Sequence, residues 1–439
     1  MLKTLVGAFK NKDIRKSYLY TLMILVIVRV GSLLPIPGVD TEYFSSLLSG
    51  INTGDLSYLS AFTGGSFERM SLFALSITPY ITSSIIMQLL AIAIPKLEEM
   101  QKEGEDGRKK IAAITRYVTI ALALIESIAM SVGFGRSGLI KGYQGFSTLH
   151  YIVSIIVVVA ALTAGSAMLM WLGERITENG VGNGISIVLL INIISGMPSD
   201  FATLYSTFVA PRTIAKGVLA AAIIIAILVV MVVLVCFLQD GERRIPVQYS
   251  QKVSGRKSFG GQSTNIPLKV NTAGVMPVIF ASSLMQFPVI IAQLFGKSYE
   301  WTRYLSSSYW CRVSAPKYSL GLILYIVLLI IFAYFYTSIT FNPIEVADNL
   351  KKAGGVIPGI TPGKSTSDYL NNILNYIVFV GAVGLLIIAL IPIMCTGFFN
   401  ASVSFGGTSV IIIVGVVLET LKQIESQMVN RYYKGFLSE

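Results

Sequence analysis

Residues 363–365 end like a phosphate-binding loop, since the stretch reads Gly-Lys-Ser. In that loop, glycine, lysine and a hydroxyl group hold nucleotide phosphates and a magnesium ion. The motif also needs a glycine five residues before its last glycine, and Pro358 occupies that position. We therefore do not predict nucleotide binding here, and any energy source must come from a partner.

The residues that carry most enzyme and metal chemistry are scarce. The chain has one histidine, His150, and three widely separated cysteines, Cys236, Cys311 and Cys395. This set allows no Ser–His–Asp constellation, no zinc or haem cluster and no disulfide framework. The sequence predicts a protein that is not an enzyme and that needs no cofactor or metal.

Two charged residues lie inside strongly apolar stretches. Arg29 lies within MILVIVRVGSLLP and Glu126 within VTIALALIESIAM. A charge at the centre of a membrane helix costs about 2.5–3.5 kcal/mol on insertion scales, so each one needs an explanation. Arg29 fits snorkelling or a buried structural pair. Glu126 fits a buried polar contact or an ion site, and a lone carboxylate favours a structural or gating contact.

The elements that carry these residues are membrane helices. Of the 439 residues, 54% are hydrophobic and 13% are charged, whereas soluble proteins carry about 25% charged residues. Apolar runs of about 20 residues match the thickness of a bilayer core. We predict an all-α polytopic membrane protein without a cleaved signal peptide or a separate soluble domain. Its ten spans are 18–36, 75–94, 113–133, 150–172, 184–197, 217–239, 273–295, 318–340, 371–393 and 404–423.

The distribution of basic residues predicts the orientation. With a cytoplasmic N-terminus, 24 of the 34 Lys and Arg residues lie in cytoplasmic segments and 8 in external ones, apart from Arg29 and Arg69. This asymmetry follows the positive-inside rule. Because ten is even, the C-terminus is also expected in the cytoplasm.

Two long cytoplasmic loops, Asp240–Asn271 and Phe341–Tyr369, carry clustered basic residues and contribute to a net charge of +11. The pattern fits ordinary cytoplasmic charge or a docking surface for RNA phosphates or an acidic protein. The candidate docking residues are Arg243, Arg244, Lys252, Arg256, Lys257, Lys351, Lys352 and Lys364.

The stretch AFTGGSFERMSLFALSITPY (61–80) is too polar to span a bilayer and too apolar for an ordinary loop. Leu59, Phe62, Met70, Phe73 and Ile77 fall at helical spacing, which predicts a short helix with one apolar face. Thr63, Glu68 and Arg69 are then expected to face water. Such non-spanning backbone is tolerated at membrane depth only inside protein or beside a water-filled cavity.

Seven motifs follow one another along the chain: RVGSLLPIPGVD (29–40), SLFALSITPYITSSIIMQLL (71–90), KEGEDGRKKIAAITRY (102–117), MWLGERITENGVGNGISI (170–187), GGQSTNIPLKVNTAGVMPVIFASS (260–283), FNPIEVADNLKKAGGVIPGITPG (341–363) and FGGTSVIIIVGVVLET (405–420). In this order they make the chain resemble the SecY family over essentially its whole length. The resemblance implies two inverted five-helix halves around an hourglass pore. The halves are expected at 1–197 and 217–439, joined by a hinge loop at 198–216, and the short fifth span begins in a glycine run.

The resemblance also implies the roles of particular residues. A pore ring of aliphatic side chains is expected from Ile77, Ile81, Ile185, Leu189, Ile279 and Ile412. The 77/81 and 185/189 pairs are four residues apart, so each pair faces one direction from a helix. An isolated isoleucine pair is more often ordinary packing, but a narrow apolar collar can also exclude water by dewetting.

A plug helix and a lateral gate are implied as well. The plug is expected at about 60–72, with Phe62, Gly64, Gly65, Phe67, Glu68, Arg69 and Met70. The gate is expected between the second and third spans and the seventh and eighth, with a polar cluster of Gln88, Glu126 and Asn271. Ser83 and Phe280 are expected to flank this seam.

The implied function is a protein-conducting channel in the bacterial plasma membrane. The expected partners are the small SecE and SecG subunits, the SecA motor ATPase, the ribosome, secretory preproteins with their signal sequences, and membrane lipid. One residue departs from the family pattern, since Thr361 stands where PGIRPG carries an arginine. Two alternatives stay open, a small-solute secondary transporter and a membrane scaffold that conducts nothing.

Overall fold

A computed structural model of the chain describes residues 12–50, 63–134, 148–211, 214–249, 253–254, 257–258, 263–294, 300–311, 316–399 and 407–436. Every structural statement below concerns these ranges. Three predicted site residues, Phe62, Lys252 and Arg256, lie outside them.

The described part of the first half is mostly helical, and its main non-helical stretches are residues 34–40 and the turns after residue 63. Its helices are α1 (Lys12–Leu33), α2 (Thr41–Gly50), α3 (Thr78–Ala93), α4 (Pro95–Lys102), α5 (Glu105–Phe134), α6 (Thr148–Asn179) and α7 (Gly184–Leu204). A π-helical turn, Tyr205–Val209, extends α7.

The second half combines long helices with short strands. Its helices are α8 (Ile214–Asp240), α9 (Met276–Leu294), α10 (Glu300–Leu305), α11 (Leu320–Thr340), α12 (Pro343–Lys352), α13 (Lys364–Phe399) and α14 (Gly407–Phe436). Short 3-10 turns lie at Ser307–Tyr309 and Pro316–Ser319. The strands are β1 (Glu242–Tyr249), β2 (Val253–Ser254), β3 (Lys257–Ser258), β4 (Ser263–Lys269) and β5 (Gly355–Val356).

Each of the ten predicted spans overlaps one of these helices: α1, α3, α5, α6, α7, α8, α9, α11, α13 and α14. Within the described ranges, seven helices are long and apolar enough to cross a membrane without a break. An eighth span is reached if α3 and α4, which bend by 106° at their junction, count as one. The chain is a multi-span membrane protein.

The prediction of a short fifth span was wrong. The helix does not end at 197 but runs through Pro198 to Leu204, and the π turn continues it to Val209. Most of the predicted hinge loop is therefore helical. Proline removes a single backbone donor, and near a helix end this loss bends the helix without ending it.

Neighbouring helices within each half pack side by side. In the first half α3 packs on α5, α5 on α6 and α6 on α7, and in the second half α9 packs on α11 and α11 on α13. The halves meet where α5 contacts α9 and, elsewhere, where α14 contacts α7. The pairing of α5 with α9 joins the third and seventh spans, which the predicted gate would separate.

The two long polar loops fold together into one small sheet. Strand β1 pairs antiparallel with β4 through Glu242–Gln248, and its end pairs with β5 through Gln248 and Tyr249. The side chains of Ile245 and Val247 point inward from β1, as the alternating burial of the strand shows. They join an apolar cluster with Leu268, Leu350, Ile357, Leu370, Ile373 and Ile377. We call the three strands β4, β1 and β5 the loop sheet.

Candidate functional site

A cluster of aliphatic side chains, here called the central cluster, draws residues from both halves of the chain. Its buried members are Ile24, Val28, Phe73, Ile77, Leu169, Leu172, Ile176, Ile187, Val188, Leu189, Ile193, Ile279, Phe280, Ile412 and Val416. All six residues predicted for the ring belong to it. Four of them are buried, and Ile81 and Ile185 are half-buried and pack against the others.

Local backbone structure places the paired ring residues on common helix faces. Ile77 lies at the N-cap of α3, and the Ile81 amide donates to the Ile77 carbonyl over 3.1 Å, one turn later. Asn183 caps α7 with its side chain, which accepts hydrogen bonds from the amides of Ile185 and Ser186. Leu189 follows Ile185 by four residues, so both side chains face the cluster. The junction of the halves is therefore apolar and closely packed.

The segment from Thr63 to Ile77, here called the turn segment, lies between α1 and α7. Its 64–70 and 72–77 stretches are turns, so the prediction of a regular plug helix over 64–70 was wrong. Gly64, Gly65, Met70 and Ser76 all have positive φ, a conformation that a right-handed helix excludes. The Ile36 amide donates to the Met70 carbonyl over 3.2 Å and ties the segment to the end of α1.

The apolar side of the turn segment is buried, as the spacing predicted. Phe67 and Met70 pack in a second cluster with Ile36, Phe44 and Leu162. Farther along, Phe73 and Ile77 belong to the central cluster. The segment therefore lies directly against the ring residues.

The polar side of the segment only partly follows the prediction. Glu68 and Arg69 are exposed, as predicted, but Thr63 is buried. The Thr63 hydroxyl accepts a hydrogen bond from the Phe67 amide over 3.3 Å. A local backbone donor thus satisfies Thr63 in place of water.

Gly64 is in close contact with α7. The Ser195 hydroxyl donates to the Asn192 carbonyl over 2.8 Å and lies 3.5 Å from the Gly64 carbonyl oxygen. The Asn192 side-chain amide donates to the Ser76 hydroxyl over 3.1 Å. A Cβ added at Gly64 would meet Ser195 Oγ at 2.6 Å and the Asn192 carbonyl oxygen at 2.8 Å. We call Asn192 and Ser195 of α7 the seat of the turn segment. Sequence reasoning missed Asn192 and Ser195, because single polar residues in an apolar helix give no pattern.

The three residues predicted for the gate cluster lie on three elements. Gln88 is on α3, Glu126 is half-buried on α5, and Asn271 is buried between β4 and α9. Gln88 Oε1 and Asn271 Nδ2 are buried without a hydrogen-bond partner in the described part of the chain. The first is an acceptor and the second a donor, so they are chemically complementary. Their joint role stays a prediction.

That Ser83 and Phe280 flank the seam stays a prediction, and the structure shows which neighbours they contact. Ser83 is buried against α5, with its hydroxyl 2.6 Å from Thr119 Oγ1 and 3.3 Å from the Thr115 carbonyl. Phe280 packs edge-on against Phe332 and Tyr336 of α11. Each side chain thus contacts a helix of its own half, and Phe280 also belongs to the central cluster. Their contacts connect α3 with α5 and α9 with α11. Each side of the predicted gate therefore consists of two helices packed together, here called a braced pair.

The described candidates for partner docking lie on or beside the loop sheet. Arg243 and Arg244 are exposed on β1, and Arg244 pairs with Glu242 at 2.6 Å. Lys351 and Lys352 are exposed in the last turn of α12, and Lys364 is exposed at the start of α13. Lys257 belongs to β3 in the short β2–β3 hairpin.

Thr361 lies in the turn between β5 and α13. It is exposed, and its carbonyl accepts a hydrogen bond from the Thr366 hydroxyl over 2.9 Å. That bond uses the backbone of residue 361, so the turn does not depend on the side chain. Lys351, Lys352 and Lys364, the residues expected to compensate for the missing arginine, are all exposed.

The described part of the site contains no cluster of side chains of the kind that binds a catalytic metal ion. Within the described ranges, no group of three or more His, Cys, Asp or Glu residues could hold a metal ion. The ring residues themselves are aliphatic. What this apolar arrangement can do is exclude water and ions from the junction of the two halves.

Comparison with known proteins places the chain in a family. The family model described as SecY matches residues 71–421. Protein translocase subunit SecY of Streptomyces galbus is 44% identical over the full length of both chains, and that of Bacillus subtilis is 42% identical over the same extent. The chain belongs to the SecY family. It is a subunit of a protein-conducting channel and not an enzyme, and the small-solute transporter is not favoured.

Solved structures confirm the fold. A SecY structure, reported to show that the plug domain stabilises the closed channel and maintains a membrane seal, matches with a TM-score of 0.65. That match has 18% identity and covers 95% of this chain and 93% of the other. Canine Sec61 in a ribosome–channel complex matches with a TM-score of 0.60 and 17% identity, covering 95% and 94%. The ten predicted helices agree with this SecY fold.

Proposed function

We propose that this chain forms the pore of a protein translocase in a bacterial plasma membrane. It passes unfolded secretory proteins outward and releases apolar segments sideways into lipid. The observation that carries this proposal is the central cluster, where six aliphatic residues from both halves come together. The halves are proposed at 1–197 and 217–439, with residues 198–216 between them as a hinge that is helical from 198 to 209.

The six ring residues act as a seal that yields to a passing chain. Aliphatic side chains do not hydrogen-bond water or ions, so a narrow collar of them stays dry. Their contacts with each other are non-directional, and they can therefore reform around peptide side chains of different shapes. The part of the turn segment from Thr63 to Leu72 belongs to the proposed plug, about residues 60–72, which lies against this ring in the closed channel.

Reconstitution tests the proposed function. The chain is purified with its small membrane partners, proposed to be of the SecE and SecG type, and placed in vesicles with the motor ATPase and a secretory preprotein. We expect ATP-dependent protection of the preprotein from external protease. A preprotein that stays accessible, while the same vesicles take up small solutes, would support the secondary transporter. A chain whose ring substitutions change nothing would support the scaffold.

The lateral gate is proposed to open where α5 meets α9. Gln88 and Asn271 contribute weak polar contacts, and such contacts are worth about 0.6–2 kcal/mol in membranes. Because α3–α5 and α9–α11 are braced pairs, the seam parts as two rigid sides. Glu126 lies on the first of these sides.

A cross-link across the gate should block lateral release. In a chain with Cys236, Cys311 and Cys395 replaced by serine, cysteines at Gln88 and Asn271 are joined by a short bifunctional maleimide. We expect the membrane insertion of an apolar segment to fall severalfold, because the two sides can no longer part. Insertion is measured by alkaline extraction of the inserted client.

The matched control joins two helices on the same side of the gate. Cysteines at Ser83 and Thr119, whose hydroxyl oxygens are 2.6 Å apart, link α3 to α5. We expect this link to leave insertion unchanged. Efficient insertion through the Gln88–Asn271 cross-link would argue against the proposed seam.

The loop sheet is the proposed docking surface for the ribosome and the SecA motor. Its support is the cluster of exposed cations on β1 and α12, and the orientation that places both termini in the cytoplasm. Contacts between such cations and RNA phosphates or acidic side chains weaken with salt.

Charge reversal at Arg243 and Lys351 to glutamate should weaken binding of ribosomes and of the motor. We expect severalfold weaker affinity at low salt and a smaller difference at high salt, measured by co-sedimentation with channel-containing vesicles. The control reverses Arg303 and Lys317, which are exposed beside α10 and α11 on the proposed external side. An equal loss in both variants would refute the docking role of the loop sheet.

A further inference from the structure

The guanidinium of Arg29 meets the turn segment in an unfavourable way. Arg29 lies in the apolar part of α1, and its Nη1 is buried without a hydrogen-bond partner among the described residues. A Cβ added at Gly64 would lie 3.1 Å from this nitrogen. The nitrogen is therefore shielded from water where the turn segment sits against α1.

A second charge lies near Arg29. Arg69 of the same turn segment carries a like charge, which acts unfavourably on Arg29 in addition to the burial of its guanidinium. In the described ranges, no carboxylate forms an ion pair with Arg29. Charged residues inside membrane proteins usually pair with an opposite charge or a backbone carbonyl. Here the neighbouring charge is a like one, and neither kind of partner reaches Nη1.

Other contacts hold the turn segment in place. Phe67 and Met70 are buried in an apolar cluster, and the seat contacts Gly64 from α7. In the seated position, apolar burial stabilises the segment, whereas Arg29 Nη1 is kept from water without a hydrogen-bond partner among the described residues. Leaving a buried polar group unsatisfied costs free energy, and more so for a charged group.

We propose that Arg29 is a release element, a positioning residue that raises the free energy of the seated turn segment and so eases opening of the channel. The inference rests on the proposed function, in which residues 63–72 of the turn segment belong to the plug. When the segment leaves, water reaches Nη1 and Arg69 moves away, so both unfavourable interactions end. Arg29 thereby sets the balance between closed and open channel without contacting the ring.

The variant Arg29→Met tests this proposal, because it keeps the length of the side chain and removes the charge. Single-channel recordings in planar bilayers measure the fraction of time that the complex is open without a client. We expect this fraction to fall roughly fivefold or more, in line with the removal of one unsatisfied buried polar group. The control Arg15→Met removes an exposed charge from the same helix and should leave the fraction unchanged.

A second variant changes the charge on the plug side. Arg69 is exposed, so Arg69→Glu should fold normally and convert repulsion into attraction. We expect it to open less often than wild type, whereas Arg69→Lys should behave like wild type. In both Arg29→Met and Arg69→Glu, a client with a weakened signal sequence should cross more slowly, while a client with an intact signal crosses at nearly the wild-type rate.

Three results would overturn the inference. More frequent opening of Arg29→Met would make Arg29 a latch, and an unchanged open fraction would give it no role in release. A wild-type complex that passes no client would contradict the proposed function itself, and the release element with it. If the wild-type complex transports clients but Arg29→Met opens more often or equally often, only the release element is refuted and the proposed function stands.

Discussion

Replacing Gly64 by alanine is expected to raise the resting ion conductance of the channel strongly. The added methyl group would lie 2.6 Å from Ser195 Oγ and 2.8 Å from the Asn192 carbonyl oxygen. The carbonyl belongs to α7 and cannot rotate away, so the turn segment must move off its seat. Overpacking a close contact costs about 1–3 kcal/mol, which corresponds to a roughly fivefold to 150-fold smaller seated population.

The neighbouring glycine provides the control. Gly65 also has a positive φ, of 79° against 62° at Gly64, so alanine strains the backbone similarly at both positions. A Cβ at Gly65 would meet nothing within 4 Å. We therefore expect Gly65→Ala to change the conductance much less than Gly64→Ala.

Planar-bilayer conductance without a client, together with the thermal midpoint of the purified complex, separates leak from unfolding. Equal conductance of the two variants would mean that backbone strain, and not the seat on α7, determines the leak. That result would contradict the role assigned to Asn192 and Ser195.

Replacing both Ile81 and Leu189 by glycine is expected to make the channel leak ions even with the turn segment present. The two side chains come from different helices, and both pack in the central cluster. Their removal widens the collar and makes it less apolar, so water and ions enter it. The measurement is again single-channel conductance without a client, and we expect a severalfold rise.

The control makes equivalent replacements on the same two helices, away from the cluster. Ile92 on α3 and Ile194 on α7 are exposed to the surroundings of the chain. Each glycine costs about 1 kcal/mol of helix stability in either variant, so this effect cancels. If the Ile92→Gly/Ile194→Gly variant conducts ions as strongly as the Ile81→Gly/Leu189→Gly variant, the assignment of Ile81 and Leu189 to the pore ring is wrong.

Hydropathy predicted the helices well, because about 20 apolar residues are needed wherever a chain crosses a bilayer. It failed at the end of α7. Pro198 and the polar residues after it look like a loop, yet backbone hydrogen bonds continue the helix to Leu204. Hydropathy shows which residues favour lipid, and a helix can continue beyond the last of those residues.

The turn segment shows which part of a site can be predicted from spacing. The apolar positions at 70, 73 and 77 are buried as predicted, because burial follows from the chemistry of the side chains. The helix itself is missing, since Met70 and Ser76 adopt positive φ although neither is glycine. Contacts with α1 and α7 impose this backbone, and such long-range contacts leave no local pattern.

The ring residues came from a family resemblance and the spacing of two pairs, and the structure brings all six into one cluster. The neighbours of Ser83 could not be predicted, because a serine in a helix gives no sign of which helix it faces. Its partner Thr119 lies 36 residues away on α5. Only the packing of α3 on α5 decides the direction.

The loop sheet has a mechanical consequence. Strand β1 follows α8 and β4 leads toward α9, while β5 connects α12 to α13. Because β1 pairs with both other strands, a force applied by a partner to either loop reaches α8, α9 and α13 at once. The two loops are therefore mechanically coupled, and both transmit force to the helices of the second half. We expect that a partner bound to only one of the two loops can still move α9 away from α5.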